Sequence, residues 1–518
     1  MITPGFLYLT AALLLFLAVN DKVKYMISLL IPTAALIITL YLSPDYRLQI
    51  NFLKYTLIPL SVDDISRLMG LIFTLSGLAA VFYLINISSR KSLQLIFLFI
   101  GSALSVVFAG DLFSLYVFWE LMTISSSFLI ITTSNFTKKT GYYFFLMQLV
   151  GSLSLLWGIF LNYSAIGSLH LDVIEAGVPF FMIAVGIKMA FVGLHTWMPQ
   201  TYSRVPFYIA VVLSIYTTKV GVYVMYRLLP GISILAYAGL VSALFGIIMA
   251  LRQNQVRKLL SYSIITQVGY MIIGLSLGSA AGIAGAFFHV VNHILYKTVL
   301  FMVAGVVIYT TGNDKLENMG VLGRKLPFTS VATLVAFMAI AGVPFFNGYM
   351  SKIIIKEATQ EPVLSWGLKL MSFGTSLMFL KFIYYAFFQS SDIQLKKKTP
   401  LSMQIGLAIL TVVMVLIGIN PFFLENLTNI NVDIDYFDVK LILSGVQPFL
   451  WSIPVFILLK KYIVRKYGNF KDYDIYQKMG KTFVKLGSKL SIYHNGKLNR
   501  YLIWAATALI VLLMILLT

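Results

Sequence analysis

The amino-acid sequence predicts an all-α polytopic membrane protein. Of the 518 residues, 59% are hydrophobic and only 11% are charged, which is about half the charged fraction of a typical soluble domain. Apolar stretches of roughly 20 residues, long enough to cross the hydrocarbon core of a bilayer, recur from one end of the chain to the other. The sequence lacks the alternation of apolar and polar residues that marks a membrane β-barrel.

These apolar stretches predict sixteen transmembrane helices. They cover residues 4–20, 24–43, 65–87, 93–110, 111–134, 141–163, 177–195, 205–229, 232–251, 259–277, 282–310, 327–348, 363–389, 401–423, 441–460 and 501–517. The first stretch has neither the basic start nor the small-residue cleavage site of a signal peptide, so we expect it to be a retained helix.

The loops between the predicted spans alternate in charge. One set carries the basic residues Lys22, Lys24, Arg90, Lys91, Lys138, Lys139, Arg204, Arg252, Arg257, Lys258, Arg324, Lys325 and Lys396–Lys398. The other set carries Asp172, Glu175 and the acidic stretch 431–438, or almost no charge. The positive-inside rule therefore places the basic loops in the cytoplasm and both termini outside. The net charge of +20 then needs no nucleic-acid partner.

Residues 461–500 have a different pattern and predict a basic amphipathic helix. Apolar residues recur at helical spacing, at Ile475, Met479, Phe483, Leu486 and Leu490. Another face carries Lys478, Lys481, Lys485 and Lys489. Such a helix lies either on an anionic lipid surface or along a partner protein, and the sequence favours neither.

Glycines and a proline interrupt the apolar spans at three places, each beside a titratable residue. The three groups are Gly186 and Gly193 around Lys188, Gly342, Pro344 and Gly348 before Lys352, and Gly278, Gly282 and Gly285 before His289. Paired broken helices in two halves of a chain are typical of inverted-repeat transporters. Broken backbone at that depth is tolerated only against protein or water.

Seven titratable residues lie in otherwise apolar or glycine-rich stretches. They are Glu120, Lys188, Lys219, His289, His293, Lys297 and Lys352. A charged side chain at the bilayer centre costs about 2.5–3.5 kcal/mol or more unless it is paired, hydrated or neutralised. A row of such costly groups favours an ion path, most simply a path for protons.

Glu120 and Lys188 are interpreted as a pair, because each charge offsets the cost of burying the other. Since a buried lysine loses its proton readily, the pair is suited to gating, although a static salt bridge is the structural alternative. Lys219 lies about a dozen residues into its span. We expect the hydroxyls of Tyr216, Thr217 and Thr218 to hold it, the alternative being a lysine that extends to the headgroups.

His289, His293 and Lys297 follow one another at four-residue spacing and share a helical face. Histidine titrates near neutral pH, so this face favours proton relay. A structural polar core and a zinc site are the alternatives. The zinc alternative lacks the carboxylate of an HExxH motif and any cysteine.

Three further residues have weaker patterns. Lys352 follows a broken stretch and is interpreted as an exit group on a water cavity, or as an interfacial lysine. Lys258 and His195 are possible additional pathway residues. Positive-inside anchoring beside Arg257 explains Lys258 equally well, and interfacial packing explains His195.

No covalent chemistry is predicted for this chain. The absence of cysteine excludes cysteine-ligated iron–sulfur clusters, thiol catalysis and disulfides within it. The sequence also has no P-loop, no dinucleotide-binding glycine motif after a strand and no nucleophile elbow. We therefore expect no cofactor and no metal in this chain, and any redox centre must belong to a partner.

Six segments resemble the antiporter-like proton-translocating subunits of respiratory complex I, Mrp-type sodium/proton antiporters and energy-converting membrane-bound hydrogenases. They are FWELMTISSSFLI, IKMAFVGLHTWMPQTYSRVP, TTKVGVYVMYR, RKLLSYSIITQVGYMIIGL, HVVNHILYKTVLFMVAG and GVPFFNGYMSK. They occur in family order from about residue 105 to residue 355, and together they are highly specific.

The resemblance implies two inverted five-helix repeats, each with a broken helix. Glu120 then matches the family's fifth-helix glutamate, Lys188 its broken-helix lysine and Lys219 its bridging lysine. His289, His293 and Lys297 match the relay of the second half, and Lys352 matches the exit-side lysine. One departure concerns the first break, where the family often has proline. Here Met189, Ala190 and Phe191 follow Lys188, so the break must depend on glycine or be milder.

The same resemblance implies six segments along the chain. They are N-terminal transmembrane helices at 1–92, a first repeat at 93–230, a second repeat at 231–390, C-terminal transmembrane helices at 391–460, a cytoplasmic amphipathic lateral helix at 461–500 and a terminal anchor helix at 501–518.

The implied function is proton translocation within a redox-driven respiratory complex, related to complex I or to a membrane-bound hydrogenase, in a prokaryotic plasma membrane. This chain would be the non-redox, ion-translocating subunit of an oxidoreductase complex. Its partners would be other membrane subunits and a peripheral redox module, with iron–sulfur clusters in those partners. The alternative is a subunit of an Mrp-type sodium/proton antiporter without a redox partner. A third possibility is a structural subunit that anchors a peripheral enzyme and conducts nothing.

Overall fold

Nineteen α-helices and one β-hairpin make up the part of the chain that the structure describes. This computed structural model describes residues 3–464 apart from residues 18–19, 53–54, 172, 390–393, 421, 429 and 431. The predicted lateral helix, apart from its first four residues, and the predicted anchor helix lie outside the described residues.

Most helices are joined to the next by short connections. Their bounds are α1 (Pro4–Leu17), α2 (Asp21–Tyr41), α3 (Asp64–Leu84), α4 (Arg90–Phe108), α5 (Leu112–Thr133), α6 (Lys138–Ile166), α7 (Val178–Lys188), α8 (Trp197–Arg204), α9 (Phe207–Leu228), α10 (Ile234–Leu251), α11 (Val256–Ser276), α12 (Ala280–Thr311), α13 (Val321–Lys325), α14 (Pro327–Ala341), α15 (Asn347–Ala358), α16 (Pro362–Ile383), α17 (Leu401–Ile419), α18 (Phe423–Thr428) and α19 (Val439–Ile463). Short 3₁₀ turns occupy Asn135–Thr137 and Leu316–Asn318, and a π-helical turn at Tyr384–Phe388 extends α16.

Twelve of the described helices are long and apolar enough to cross a membrane, or thirteen if one bent pair is counted as a single span. That pair joins Leu316–Lys325 to Pro327–Ala341 at an angle of 117°. The chain is therefore a multi-pass membrane protein, but the structure does not reach the sixteen spans expected from the sequence. Two predicted spans, 4–20 and 177–195, are short helices here, and the span at 501–517 lies outside the described residues.

The core of the helical bundle is formed by α9, α11 and α12. These three helices are buried over nearly all of their apolar length, whereas α19 is exposed over most of its length. The 32-residue α12 is central, because α3, α9, α11, α14, α15 and α17 all pack against it. A helix that is apolar on all sides must be buried in protein or lipid. Because six helices surround α12, its titratable face lies in the protein interior.

Side-chain caps begin several of the spans where the sequence changes from polar to apolar. Asp111 caps α5 by accepting from the backbone N–H of Ser114 at 2.8 Å, and Ser279 caps α12 by accepting from that of Gly282 at 3.1 Å. Such caps satisfy backbone donors that the first helical turn leaves unpaired. They fix the start of the two helices that carry Glu120 and the histidines.

A β-hairpin lies between α2 and α3, where the sequence predicted no regular element. Strand β1 (Arg47–Phe52) pairs antiparallel with β2 (Tyr55–Ser61), with Leu48 opposite Leu60 and Ile50 opposite Leu57. The backbone N–H of Ile58 donates to Asp111 at 2.6 Å. The hairpin thus packs against the start of α5.

The third predicted break, at Gly278, Gly282 and Gly285, is wrong. Helix α12 runs without interruption from Ala280 to Thr311, and Gly278 lies in the connection before it, with a φ of 67°. At Gly285 a methyl group would lie 2.9 Å from Ile354 and from Ile355. The glycine therefore allows α15 to approach α12 closely instead of breaking the helix.

Candidate functional site

Lys188 lies at the first break, as the last residue of α7. The chain then leaves the helix through Ala190, which has a φ of 59°, and Gly193, which has a φ of 91°, before α8 begins at Trp197. Both φ values lie in the left-handed region, which residues other than glycine rarely adopt. The break therefore does not need the family's proline. Glycine supplies part of it, as predicted, and Ala190 supplies the rest.

Tertiary contacts hold the broken end of α7 in place. The indole nitrogen of Trp197 donates to the carbonyl of Ile187 at 2.9 Å, and the backbone N–H of Phe191 donates to the carbonyl of Gly186 at 2.9 Å. These bonds satisfy carbonyls that the helix end leaves open. Lys188 thus lies at the negative end of a short helix, where a positive charge is favoured.

Helix α5 supplies the immediate partners of Lys188. Its ammonium group donates to Thr123 Oγ1 at 3.3 Å and lies 4.3 Å from the ring centre of Trp119. Glu120, between these two residues, instead accepts from the hydroxyl of Tyr116 at 3.3 Å. Among the described ion pairs, none joins Glu120 to Lys188 within 4.0 Å. The two predicted partners are therefore neighbours across the α5–α7 contact without forming a direct salt bridge.

Lys219 is completely buried in the middle of α9, so the alternative of a lysine extending to the headgroups does not hold in this structure. Its ammonium group donates to the backbone carbonyl of Ser214. The hydroxyl of Tyr216, one of the expected partners, donates to the carbonyl of Phe73 instead, at 3.0 Å. A backbone carbonyl on the lysine's own helix therefore replaces the predicted hydroxyl partner.

The first break and α9 are in direct contact. A methyl group at Gly221, two residues after Lys219, would lie 3.2 Å from the side-chain stem of Lys188. The glycine thus lets the stem of one buried lysine pack against the helix that carries the next. The two buried lysines therefore lie on helices that pack directly against each other.

The predicted face on α12 is present and completely buried. His289 Nδ1 is 3.0 Å from Ser351 Oγ, and its Nε2 is 3.2 Å from Gln267 Oε1. The rings of His289 and His293 stack with their centres 6.4 Å apart. Lys297 donates to Ser263 Oγ on α11. His289 thus faces α11 and α15, and Lys297 faces α11.

His293 differs from its neighbours, because neither ring nitrogen has a hydrogen-bond partner although both are buried. Buried polar atoms in native proteins are nearly always paired, often with water. Lys219 and Lys297 lie close enough to act electrostatically on this ring. His293 therefore lies near one lysine on α9 and one on its own helix.

Lys352 lies just beyond the second break, which separates α14 from α15. Gly342, with a φ of 78°, and Phe345, with a φ of 67°, turn the chain there. The ammonium group donates back to the carbonyl of Ile340 at 2.6 Å. Lys352 also lines a cavity of about 330 Å³ together with Tyr270 and Tyr349. Lys352 therefore lies beside a cavity, and its role as an exit group stays a prediction.

The two possible additional residues lie at the periphery of this row. His195 is buried in the loop of the first break, where its Nδ1 accepts from the backbone N–H of Gly193 at 3.3 Å and its ring packs edge-on against Phe245 at 4.7 Å. Lys258 is partly exposed near the start of α11, and the neighbouring Arg257 pairs with Asp314 at 3.1 Å.

The geometry does not assemble a metal site from the described residues, since no three or more His, Cys, Asp or Glu side chains converge. What it assembles is a row of titratable groups, all buried except the half-buried Glu120, that begins at Glu120 and Lys188, continues through Lys219 and the α12 face, and ends at Lys352. Such groups at membrane depth mark ion pathways. The same row extends through both broken helices.

The sequence profile of the NADH:quinone oxidoreductase/Mrp antiporter transmembrane family matches residues 109–378. This range covers more than half of the chain and includes every residue of the row. The chain belongs to this family. It is therefore an antiporter-like membrane subunit of the kind shared by complex I, Mrp antiporters and related complexes.

Individual relatives extend the similarity beyond the matched range. A curated protein from Staphylococcus aureus (strain MRSA252), named "Putative antiporter subunit mnhD2", is 27% identical over 465 residues, which cover 82% of this chain and 93% of that protein. A subunit of the archaeal membrane-bound sulfane sulfur reductase superimposes with a TM-score of 0.83 at 23% identity and covers 99% of both chains. A chain of the Mrp complex from Dietzia sp. DQ12-45-1b gives 0.80 at 20% identity, covering 98% of this chain and 62% of that one. At these identities the two structures show a shared fold.

Several residues of this antiporter-like subunit that contact the row, or are buried like its members, were not predicted from the sequence. Gln267, Ser351 and Tyr296 surround His289, and their residue types are common in any helix. Lys381 is also buried, where it donates to the carbonyls of Leu251 and Gln253 at 2.6 and 2.9 Å. A lysine inside the apolar stretch SLMFLKFIYY was the available signal for it.

Proposed function

We propose that this antiporter-like subunit conducts protons across the membrane within a redox-driven respiratory complex related to complex I or to a membrane-bound hydrogenase. The observation that carries the proposal is the row of titratable groups that runs through both broken helices. A passive anchoring subunit has no use for buried lysines such as Lys188, Lys219 and Lys352, because each is costly to keep at membrane depth.

In the proposed path, cytoplasmic protons reach Lys188 and Lys219 through a half-channel. They then pass along a hydrated axis to His289, His293 and Lys297 and leave near Lys352. Water supports this step, since both ring nitrogens of His293 are buried and unpartnered. Glu120 and Lys188 gate the path in response to a neighbouring subunit. Because Lys188 is bonded to Thr123 and not to Glu120, a small movement of α5 against α7 is enough to alter the pair.

The test is proton translocation by the purified complex in sealed vesicles. Glu120→Gln, Lys188→Met and Lys219→Met should each lower the rate by about a hundredfold or more, the usual contribution of a positioned proton-transfer group. Lys138→Met is the matched control, because Lys138 is exposed at the start of α6 and lies outside the row. If all three variants keep the parental rate, the proton path is disproved and a purely structural subunit becomes the better explanation.

The partner subunits belong to the same proposal. We expect other membrane subunits and a peripheral redox module that carries iron–sulfur clusters, with the basic loops and residues 461–500 on the cytoplasmic face of a prokaryotic plasma membrane. Native mass spectrometry of the complex purified through this chain tests this. Cysteine-rich subunits among the partners would support a redox pump.

A second candidate function is sodium/proton exchange without a redox partner. It is favoured by one specific observation, the name of the Staphylococcus aureus relative, which describes an antiporter subunit. In this case only membrane partners should co-purify. Sodium should then drive proton movement in vesicles that contain no electron donor, and the redox-driven proposal predicts no such sodium dependence.

A further inference from the structure

The His289 ring is held at both nitrogens, unlike that of His293 one helical turn away. Its Nδ1 faces Ser351 Oγ on α15 at 3.0 Å, and its Nε2 faces Gln267 Oε1 on α11 at 3.2 Å. Both partners are completely buried. A neutral imidazole has one donor and one acceptor nitrogen, so these contacts determine which nitrogen carries the proton.

Gln267 determines whether His289 Nε2 carries a proton. Its amide nitrogen donates to Thr375 Oγ1 at 3.2 Å, which turns its oxygen toward the ring. That oxygen lies 3.2 Å from Nε2, so an unprotonated Nε2 would set two acceptors against each other. The Tyr296 hydroxyl lies 3.3 Å from this oxygen and 3.4 Å from Nε2, and when Nε2 carries a hydrogen this hydroxyl donates to the oxygen. The resting ring therefore carries its proton on Nε2, and Nδ1 is the free base.

Ser351 is the hydrogen-bond partner of His289 Nδ1. Its hydroxyl group can pair with Nδ1 whether or not that nitrogen carries a proton, because only the hydroxyl hydrogen has to turn. Its oxygen accepts from the amide of Asn292 at 3.2 Å. Its single hydroxyl hydrogen has two acceptors, His289 Nδ1 at 3.0 Å and the carbonyl of Gly348 at 3.4 Å. When Nδ1 is empty the hydroxyl donates to it, and when Nδ1 is protonated the hydroxyl turns to Gly348 and accepts from the ring.

We propose that Gln267 and Ser351 are positioning residues that confine proton exchange at His289 to Nδ1, on the side of the second broken helix. Uptake adds a proton from the hydrated axis to the Nδ1 lone pair, and release passes that proton from the same atom toward Lys352, while the Nε2–H bond stays intact. Because Ser351 directly precedes Lys352, exchange occurs beside the backbone that carries the exit lysine. This inference rests on the proposed proton path.

No carboxylate acts on His289 or His293 among the described groups. The titratable groups that face the two rings are Lys352, Tyr270 and Tyr296 for His289, and Lys219, Lys297 and Tyr296 for His293, and the two rings also face each other. An acidic residue at position 267 would place a negative charge directly beside Nε2. Because the groups already present are lysines, tyrosines and the other histidine, a change in the pH dependence of transport after this substitution can be assigned to the new carboxylate.

The first experiment removes and restores the Ser351 hydroxyl in the whole complex reconstituted in vesicles. Ser351→Ala should lower the rate of proton translocation about five- to tenfold, the effect of losing one hydrogen bond, and Ser351→Thr should restore most of it. Ser376→Ala is the matched control, because this buried hydroxyl bonds only to its own helix, at the carbonyl of Ser372. A Ser351→Ala rate equal to that of the control would overturn the inference.

The second experiment uses the pH profile, which a merely structural role would not move. Gln267→Glu should shift the profile to higher pH by about one unit or more, because a nearby opposite charge favours the imidazolium ion. Gln267→Leu should lower the rate without that upward shift. An unshifted Gln267→Glu profile rejects the inference, while the Lys219→Met result decides independently whether the underlying proton path exists.

Discussion

Lys352 reaches back across the second helix break and donates to the carbonyl oxygen of Ile340, 2.6 Å from its ammonium nitrogen. Ile340 lies in the last turn of α14, so the lysine neutralises part of the negative end of that helix. Lys188 occupies the same electrostatic position at the end of α7. Each break thus places a lysine at the negative end of the helix before it. Lys188 is itself the last residue of α7, whereas Lys352 comes from α15 and contacts the end of α14.

Lys352→Met should separate transport from stability. Methionine keeps the length and apolar packing of the lysine stem and removes the group that titrates, so we expect proton translocation to fall by about a hundredfold with little change in melting temperature. The measurement is vesicle acidification together with thermal unfolding of the purified complex. Lys315→Met, at an exposed lysine that is ion-paired to Glu317 at 3.9 Å, is the control and should retain transport.

Replacing Ala190 with glycine should stabilise the protein. Its left-handed conformation costs about 1–2 kcal/mol for a residue with a Cβ atom, so Ala190→Gly should raise the free energy of unfolding by about 1 kcal/mol. Ala190→Val should lower it, because a β-branched residue fits this conformation even less well. Ala184→Gly, in the helical part of α7, is the control and should destabilise. Equal effects at the two alanines would contradict the backbone explanation of the break.

The sequence predicted the membrane helices well where an apolar stretch is uniform, as for 111–134 against the observed Leu112–Thr133. It failed at 177–195, because hydropathy does not register that Ala190 adopts a left-handed conformation within an apolar run. It also misjudged Gly282 and Gly285. Glycine in an apolar helix signals either a break or a close helix contact, and only the position of α15 distinguishes the two.

For the candidate site, the titratable residues could be predicted and most of their partners could not. A lysine or histidine in an apolar stretch stands out from its surroundings, so Lys219 and His289 were visible. Gln267 and Ser351 are polar residues of ordinary type, and their meaning depends on α11 and α15 meeting α12. Local periodicity does not encode which helices become neighbours, which is why these partners required the structure.

Gly348→Ala should disrupt the second break. A methyl group there would lie 1.9 Å from the carbonyl oxygen of Ala339 on α14, and a rigid backbone atom cannot yield at that distance. We expect a loss of about 3 kcal/mol or more in the free energy of unfolding, seen as a lower melting temperature or failed assembly. Gly151→Ala is the control, since its methyl group would meet Ile187 at an ordinary 3.4 Å. Comparable stability of the two variants would contradict this prediction.

Asp63 should stabilise the fold by a constant amount across the neutral pH range. Burial raises the pKa of this carboxyl, but the Arg227 guanidinium and hydrogen bonds from Ser66 outweigh burial, so its pKa in the folded state lies below the ordinary value. A depressed pKa gives stability that is present above the unfolded value of about 3.9 and is lost only as the pH falls through the folded value.

Asp63→Asn keeps the cap on the backbone N–H of Ser66, which Asp63 accepts at 2.7 Å, and removes the ion pair with Arg227. Because Asp63 is 44% exposed, we expect a loss of about 1 kcal/mol or less that is the same at every pH from 6 to 8. Asp63→Ala should cost about 1 kcal/mol more through the lost cap. A loss that grows or shrinks within this pH range would show that another group titrates with the ion pair.

Glu120→Gln should abolish transport without unfolding the protein. Breaking a static buried salt bridge typically costs about 3–5 kcal/mol. Here Lys188 keeps its contacts with Thr123 and Trp119 when Glu120 is neutralised. We therefore expect less than about 1 kcal/mol of destabilisation and about a hundredfold loss of proton translocation. Thr123→Val is the comparison, because it removes a direct partner of the ammonium group and should destabilise by about 1–3 kcal/mol. If Glu120→Gln destabilises the complex more than Thr123→Val does, the static salt bridge is the correct description and Glu120 does not gate the path.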